Sequence, residues 1–487
     1  MTREHGVAGK PKTPEAGAVV PQAREAVLST LNVDGTRRWI RPKVEHGRYW
    51  RRRVAVAWAL IVVFTALPYV RIGGKPAILL DIAHRRFTVL GTTFMPTETM
   101  LLMLLLVGIV VSIFLLTALF GRVWCGWACP QTVYMEFLYR PIELWLEGGR
   151  SGQLRRDREG GGWRRAIKYP IFLLISAFLA HTFLAYFVGI DQLVQWVRSS
   201  PARHPAAFAT MALTTGLMFL DFAWFREQMC TVVCPYGRIQ SMLLDKSSLI
   251  VGYDRRRGEP RGKAGQRRRE PERRFGDCID CGACVLACPT GIDIRNGLQM
   301  ECIHCTQCVD ACDRVMERIG RPRGLVRYGT QESFAGGRPR WLRPRTVFYP
   351  LILAVVFGLL GLSLARRASA DVWVLRGIGE PYTTLEDGRI ANQLRVKIAN
   401  RSDEPRAYRI DVLGVEDAEV VAPENPLSVG PGQTGTSVLF IETPPDVFDH
   451  GKREIRLRIS DGVDFEREVA YRLLGPFTLR PLAAGDD

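Results

Sequence analysis

The 487-residue sequence predicts a multi-domain membrane protein with five transmembrane α-helices, a cytoplasmic cysteine-rich domain of the bacterial ferredoxin type and a C-terminal immunoglobulin-like β-sandwich. Three observations predict it. Five apolar runs are each long enough to cross a bilayer. Eight cysteines form two identically spaced groups. From Asp371 onward polar and apolar residues alternate, as they do in half-buried strands.

Residues 1–47 are polar, with no short apolar core, so they show no signal peptide and read as a disordered cytoplasmic tail. Three arginines, Arg51 to Arg53, precede the first span at Val54 to Val70 and place its start in the cytoplasm. The second span is Glu98 to Phe120. Residues 48–229 form a four-helix membrane domain whose cytoplasmic loop, 121–168, is rich in Arg and Lys. Spans three and four are Tyr169 to Gly189 and Pro205 to Phe225, and the loop between them carries only Arg198 and Arg203, as the positive-inside rule requires. Residues 230–345 hold a Gly-, Pro- and Arg-rich linker from Arg255 to Arg274, read as flexible, and the soluble cysteine domain at 275–315. The fifth span, 346–366, has its apolar run at Val347 to Ala365. Five crossings then put the cysteine domain in the cytoplasm and residues 371–487 on the far side of the membrane. Arg366 and Arg367 oppose that orientation, but Arg338, Arg340, Arg343 and Arg345 on the inner flank outweigh them.

In the last region Gln393 to Ile398 and Arg453 to Ile459 alternate strictly. Turn signals at Glu386-Asp387-Gly388, Pro426 and Gly430-Pro431-Gly432 separate several such strands, which suits a sandwich with a structural or docking role. The net charge of +17 does not point to nucleic acid, because the arginines gather beside apolar spans and no basic and aromatic interleaving occurs.

All twelve cysteines lie between Cys125 and Cys312 in regular groups, unlike a disulfide framework. Cys278-x2-Cys281-x2-Cys284-x3-Cys288-Pro289 is the spacing of a bacterial ferredoxin half, and Cys302-x2-Cys305-x2-Cys308-x3-Cys312 repeats it without the proline. In such pairs the fourth cysteine of each run ligates the other cluster. The expected sets for two [4Fe-4S] clusters are Cys278, Cys281, Cys284 with Cys312, and Cys302, Cys305, Cys308 with Cys288. Zinc is the plainer alternative, but the third cysteine at the same short spacing disfavours it. His304 is expected to be a neighbour of the ligands or solvent-facing, not a ligand.

Two further pairs, Cys125-x3-Cys129-Pro130 and Cys230-x3-Cys234-Pro235, each follow the inner end of a span and form an internal repeat. Each proline suits the first turn of a new helix, and Gln131 to Glu147 is amphipathic enough to lie along the interface. Four soft thiolates near the membrane would suit Cu(I), another iron-sulfur cluster or a dithiol relay, against the plain reading of buried, inert cysteines. His181 is expected to make a helix-helix hydrogen bond and not to bind haem or quinone, Asp221 to pair with Arg226, and Met211 and Met218 to be packing residues.

The stretch Gly121-Arg122-Val123-Trp124-Cys125-Gly126-Trp127-Ala128-Cys129-Pro130, the second Cys-x3-Cys-Pro, and Cys288-Pro289-Thr290-Gly291-Ile292-Asp293-Ile294-Arg295 together resemble the CcoG/FixG/RdxA family of cytochrome c oxidase accessory proteins. So do the stretches 297–303 and 319–328, and the resemblance runs from about Arg41 to the C-terminus. It implies a role in assembling a cbb3-type haem-copper oxidase by reducing Cu(II) to Cu(I). It also implies two cytoplasmic clusters and a periplasmic immunoglobulin-like domain. The partners so implied are a cytoplasmic electron donor, a copper source or copper-transporting ATPase, and the oxidase assembly machinery.

Three functions follow as expectations. The first is a cupric reductase with Cys125, Cys129, Cys230 and Cys234 at the reducing site and copper as its substrate. The second is a quinol-linked respiratory relay like the membrane polyferredoxins. The third is a scaffold whose clusters only stabilise the fold.

Overall fold

The computed structural model describes residues 29–31, 36–82, 86–95, 98–160, 162–340 and 342–477. It divides into two compact units, one of residues 1–81 and 104–358, the other of residues 82–103 and 359–487. Five helices are long and apolar enough to cross a membrane: Arg48–Tyr69, Thr99–Phe120, Trp163–Val188, Pro205–Phe225 and Pro344–Ala365. The third begins six residues before the apolar run read from sequence, because Trp163 to Lys168 continue the helix from water into the apolar run.

In the first unit the segment after Cys129 runs as Pro130–Tyr134, one π-helical turn Met135–Tyr139 and Arg140–Glu147. Its apolar face packs between the third and fourth spans. Tyr139 stacks on Phe222 with ring centroids 4.4 Å apart, meets Phe172 edge-on, and shares a hydrogen bond with the Ser176 hydroxyl at 2.9 Å. Its charged residues do not face water. Glu143 accepts bidentately from Arg226 at 2.8 and 3.1 Å, and also from Lys168 and Arg41 at 3.0 Å each. All four residues are buried. Arg226 is therefore not the partner of Asp221, which instead accepts from the Gln131 amide at 3.1 Å. His181 likewise bonds the Ala177 carbonyl of its own helix at 2.7 Å, so it ties no second helix.

The soluble part of this unit has a two-stranded antiparallel sheet, Ile250–Tyr253 with Val326–Gly329, and a helix Gln307–Arg318. The expected flexible linker is folded. Short helices Arg255–Gly258 and Ala264–Arg269 lie in it, Arg257 pairs with Asp277 at 2.5 Å, and Arg267 donates to the Cys278 carbonyl at 2.8 Å. Composition suggested a spacer, but the guanidinium forks satisfy carbonyls that no regular element reaches.

Much of the expected tail is folded too. Residues 1–28 and 32–35 lie outside the described residues, but the remainder forms a strap along the cysteine domain. Ser29 Oγ donates to the Thr290 carbonyl at 2.7 Å, Lys43 N–H to the Leu286 carbonyl at 2.8 Å, and Glu45 N–H to Gln307 Oε1 at 3.0 Å. The strap ends where Asp310 accepts from the N–H groups of Tyr49 and Trp50, at 3.2 and 2.8 Å, and so caps the first span.

The second unit contains a β-sandwich. One sheet orders its strands Glu419–Val421, Thr434–Thr443, Ile390–Asn400 and Ala370–Arg376, with Thr383–Thr384 also on Ile390–Asn400. The other orders Leu427–Val429, Arg406–Leu413, Lys452–Ser460 and Glu466–Leu474. All pairings are antiparallel, and the alternation read from sequence sets which side chains face in. Leu394, Val396, Ile398, Leu439, Leu457 and Ile459 fill the space between the sheets.

Candidate redox site

Each four-cysteine set lines its own cavity. Cys278, Cys281, Cys284 and Cys312 line one. Cys288, Cys302, Cys305 and Cys308 line the other, together with Cys284. The first is the remote site and its Cys281 is exposed; the second is the near site, beside the membrane segments. Left-handed backbone at Asp280, Gly282, His304 and Thr306 turns the chain around these spaces.

The donor set suits a multinuclear group. Each cavity gathers at least four cysteines among largely apolar residues, the all-thiolate donor set that a [4Fe-4S] cluster takes. Burial pushes the Cys284, Cys302 and Cys312 thiols up to about 12 and Cys305 up to about 11. These thiols are neutral until a metal displaces the proton.

The duplicated pairs interlock. Cys125 lies in the helix Val123–Trp127, and Cys129 is the extended residue before Pro130, which opens the next helix. Cys230 sits in a π-helical turn, Met229–Val233, and Cys234 precedes Pro235, the first residue of helix Pro235–Leu243. Arg122 of the first module donates to the Gly237 carbonyl of the second at 2.8 Å. The Cys125 thiol donates to Gln240 Oε1 at 3.1 Å, while Gln240 Nε2 is held by the Gly121 carbonyl at 3.0 Å and the Tyr236 hydroxyl at 3.1 Å. All four thiols stand within electrostatic reach of one another. Burial pushes Cys125 up to about 11 against the pull of Arg122, and raises Cys129 and Cys230 as well.

The near site touches this thiol group directly. Cys125, Ile303 and Cys305 pack into one buried cluster flanked by Tyr236. Gly126 makes the approach possible: a Cβ there would lie 2.5 Å from the Ile303 carbonyl oxygen and 2.9 Å from the Cys305 Cα. His304 is fully buried, so the solvent-facing alternative is excluded. Its Nδ1 accepts from the Arg122 N–H at 3.2 Å, and burial with the Arg122 charge lowers its pKa to about 3. Tyr328 bridges the two parts, donating to the His304 carbonyl at 3.1 Å while receiving the Trp127 indole N–H at 3.0 Å. Sequence reasoning passed over Arg53, Gln240 and Tyr328, since no local pattern marks residues whose role comes from distant partners. Met211 lines an apolar cavity near His204, and Met218 packs beside Phe222, neither among the thiols.

Comparisons with known proteins show what the chain is similar to. A 4Fe-4S dicluster domain model matches residues 225–331, a 4Fe-4S binding domain model matches 100–151, and a model of the immunoglobulin-like fold at the C-terminal of FixG matches 360–476. Protein RdxA of Cereibacter sphaeroides is 35% identical, with 84% of this chain and 91% of that protein covered. Nitrogen fixation protein FixG of Rhizobium meliloti is 31% identical, with 94% and 97% covered. The crystal structure of a FixG-related protein from Vibrio parahaemolyticus matches with 21% identity and a TM-score of 0.21, over 22% of this chain and 98% of that one. Kinship over nearly the whole length, with both kinds of domain in place, shows that this chain belongs to the FixG/CcoG/RdxA family of membrane-bound iron-sulfur electron-transfer proteins.

Proposed function

We propose that the chain is a cupric reductase that prepares copper(I) for assembly of a cbb3-type haem-copper oxidase. The observation that carries this reading is the burial of Cys305 and Cys125 in one cluster with Ile303, which sets the near cysteine site beside four soft thiols. Cys278, Cys281, Cys284 and Cys312 would hold one [4Fe-4S] cluster, and Cys288, Cys302, Cys305 and Cys308 the other. When bound, the clusters supply single electrons at low potential. Cys125, Cys129, Cys230 and Cys234 hold the copper substrate, which as Cu(II) accepts one electron and becomes Cu(I), the state that thiolates prefer. Gln240 orients the Cys125 sulfur, which is buried with Ile303, Cys305 and Tyr236. A cytoplasmic protein donates the electrons, and a copper source such as a transporting ATPase delivers the metal. The arginine-rich flanks support a cytoplasmic cluster face and a periplasmic sandwich in a bacterial inner membrane.

The test is a Cu(I)-specific chelator assay on anaerobically purified, chemically reduced protein. Wild type is expected to yield the coloured Cu(I) complex, and a Cys125→Ala, Cys230→Ala variant with full iron content is expected to lose it. Undiminished yield from that variant sinks the assignment.

A second reading rests on the 4Fe-4S binding domain model that spans Cys125 and Cys129. On it the membrane-edge thiols hold a third cluster, and the purified protein contains about twelve irons instead of about eight.

A further inference from the structure

Arg53 and Arg122 are almost fully buried, with exposures of 1% and 3%. Among the described residues neither has a carboxylate within 4.0 Å. Arg53 Nε donates to the Gly126 carbonyl at 2.9 Å, its guanidinium lies over the Phe137 ring, and its Nη2 has no hydrogen-bond partner. Arg122 spends its two Nη groups on the carbonyls of Met300 and Gly237. Buried guanidiniums that meet carbonyls, an aromatic face and, for Arg122, the Cys125 thiol have no carboxylate as counter-charge, which a folded protein supplies from some other anion. The anion at hand is the near site. Gly126, which holds Arg53, abuts the Cys305 backbone, and the Arg122 guanidinium binds the carbonyl two residues before Cys302 while the Arg122 backbone N–H donates to the ring of His304. Glu136, the acidic residue whose charge reaches Cys305, is itself paired with Arg140 at 3.1 Å.

The remote site differs. Arg295, beside Cys284, is neutralised by Asp293 at 2.8 Å and Asp280 at 2.5 Å, and Asp313, next to Cys312, is itself paired with Arg48 at 3.5 Å, so the charges at this site are offset by carboxylate–guanidinium pairs. Arg267, which binds the Cys278 carbonyl, lies in the partly exposed segment, where solvent screens it.

We propose that Arg53 and Arg122 are tuning residues that supply the counter-charge of the near cluster, so that it has the higher reduction potential and electrons run from the exposed remote site toward the membrane-edge thiols. The proposal rests on the two-cluster reading above. A four-thiolate cluster gains negative charge on reduction, and an unneutralised cation in a low-dielectric surround favours the reduced form.

The experiment is a redox titration of the anaerobic full-length protein followed by electron paramagnetic resonance, with iron and sulfide measured first. Wild type should show two reduction steps. Arg53→Gln and Arg122→Gln should each move the higher step to lower potential and leave the lower step in place, while Arg53→Lys and Arg122→Lys should restore it toward wild type. An unmoved higher step, equal movement of both steps, or lysine variants shifted as far as the glutamine variants would overturn the proposal. If the glutamine variants lose iron from one cluster and the lysine variants keep it, the charge requirement is upheld; equal loss in both overturns it. Absence of cluster signals in wild type defeats the two-cluster reading itself.

Discussion

Glu143 is surrounded by three buried cations, and its carboxylate sets whether the inner rim of the membrane domain is tolerable. Burial alone would raise its pKa, but Arg226, Lys168 and Arg41 outweigh that and hold it well below the usual carboxylate range. A depressed pKa contributes stability that is complete above the unfolded value, about 4.3, and is lost as pH falls below it toward the folded value. Glu143→Gln removes the charge that the three cations share, leaving Arg41 with Asp157, Lys168 with Glu147 and Arg226 with Glu227, and should cost up to about 3–5 kcal/mol, seen as a lower melting temperature of the detergent-solubilised protein at neutral pH. As pH falls below about 4.3 the gap between the two melting curves should narrow progressively, and it should close only toward the much lower folded value, where wild type loses the same charge. This residue was not legible in the sequence. Its main partner lies 83 positions away, and the nearer Asp221 looked the better match for Arg226.

At the scale of elements, the turn Cys125–Cys129 and the loop Ile303–Cys305 meet backbone to backbone at Gly126. Gly126→Ala should force them apart at a cost of about 1–3 kcal/mol. The variant is expected to keep its iron yet reduce copper more slowly than wild type in the chelator assay; an unchanged rate would mean that the contact does not matter. The repeat itself was readable, since a proline after Cys129 and after Cys234 can only open a helix at its first turn. How the repeats engage was not readable. A glutamine five residues past Pro235 carries no sign that it will meet a cysteine 115 positions earlier. Arg257 and Arg267 mislead for a related reason, because a guanidinium that caps carbonyls looks, in composition, like one that floats in solvent.

Over the whole molecule, spans and strands were legible because burial imposes a period or a length, while the strap from Ser29 to Gly47 was not, because its contacts follow neither. Arg38 to Lys43 of this strap lie against or near the Cys288 loop, so trypsin is expected to spare them in the iron-loaded protein. After chelation loosens that loop, cleavage there should rise severalfold on a gel. Cleavage at the same rate in both states would mean that the strap is held without the clusters.

The cap that Asp310 places on the first span also has a schedule. Tyr49 and Asp310 are separated by 261 positions, which at 5–20 residues per second is roughly 15–50 seconds of synthesis. Through that interval the first span sits in the bilayer with the end that carries Tyr49 and Trp50 uncapped. It is completed only when the helix carrying Cys308 and Cys312 has formed, so folding of the cysteine domain, and not membrane insertion, becomes the step that closes the molecule.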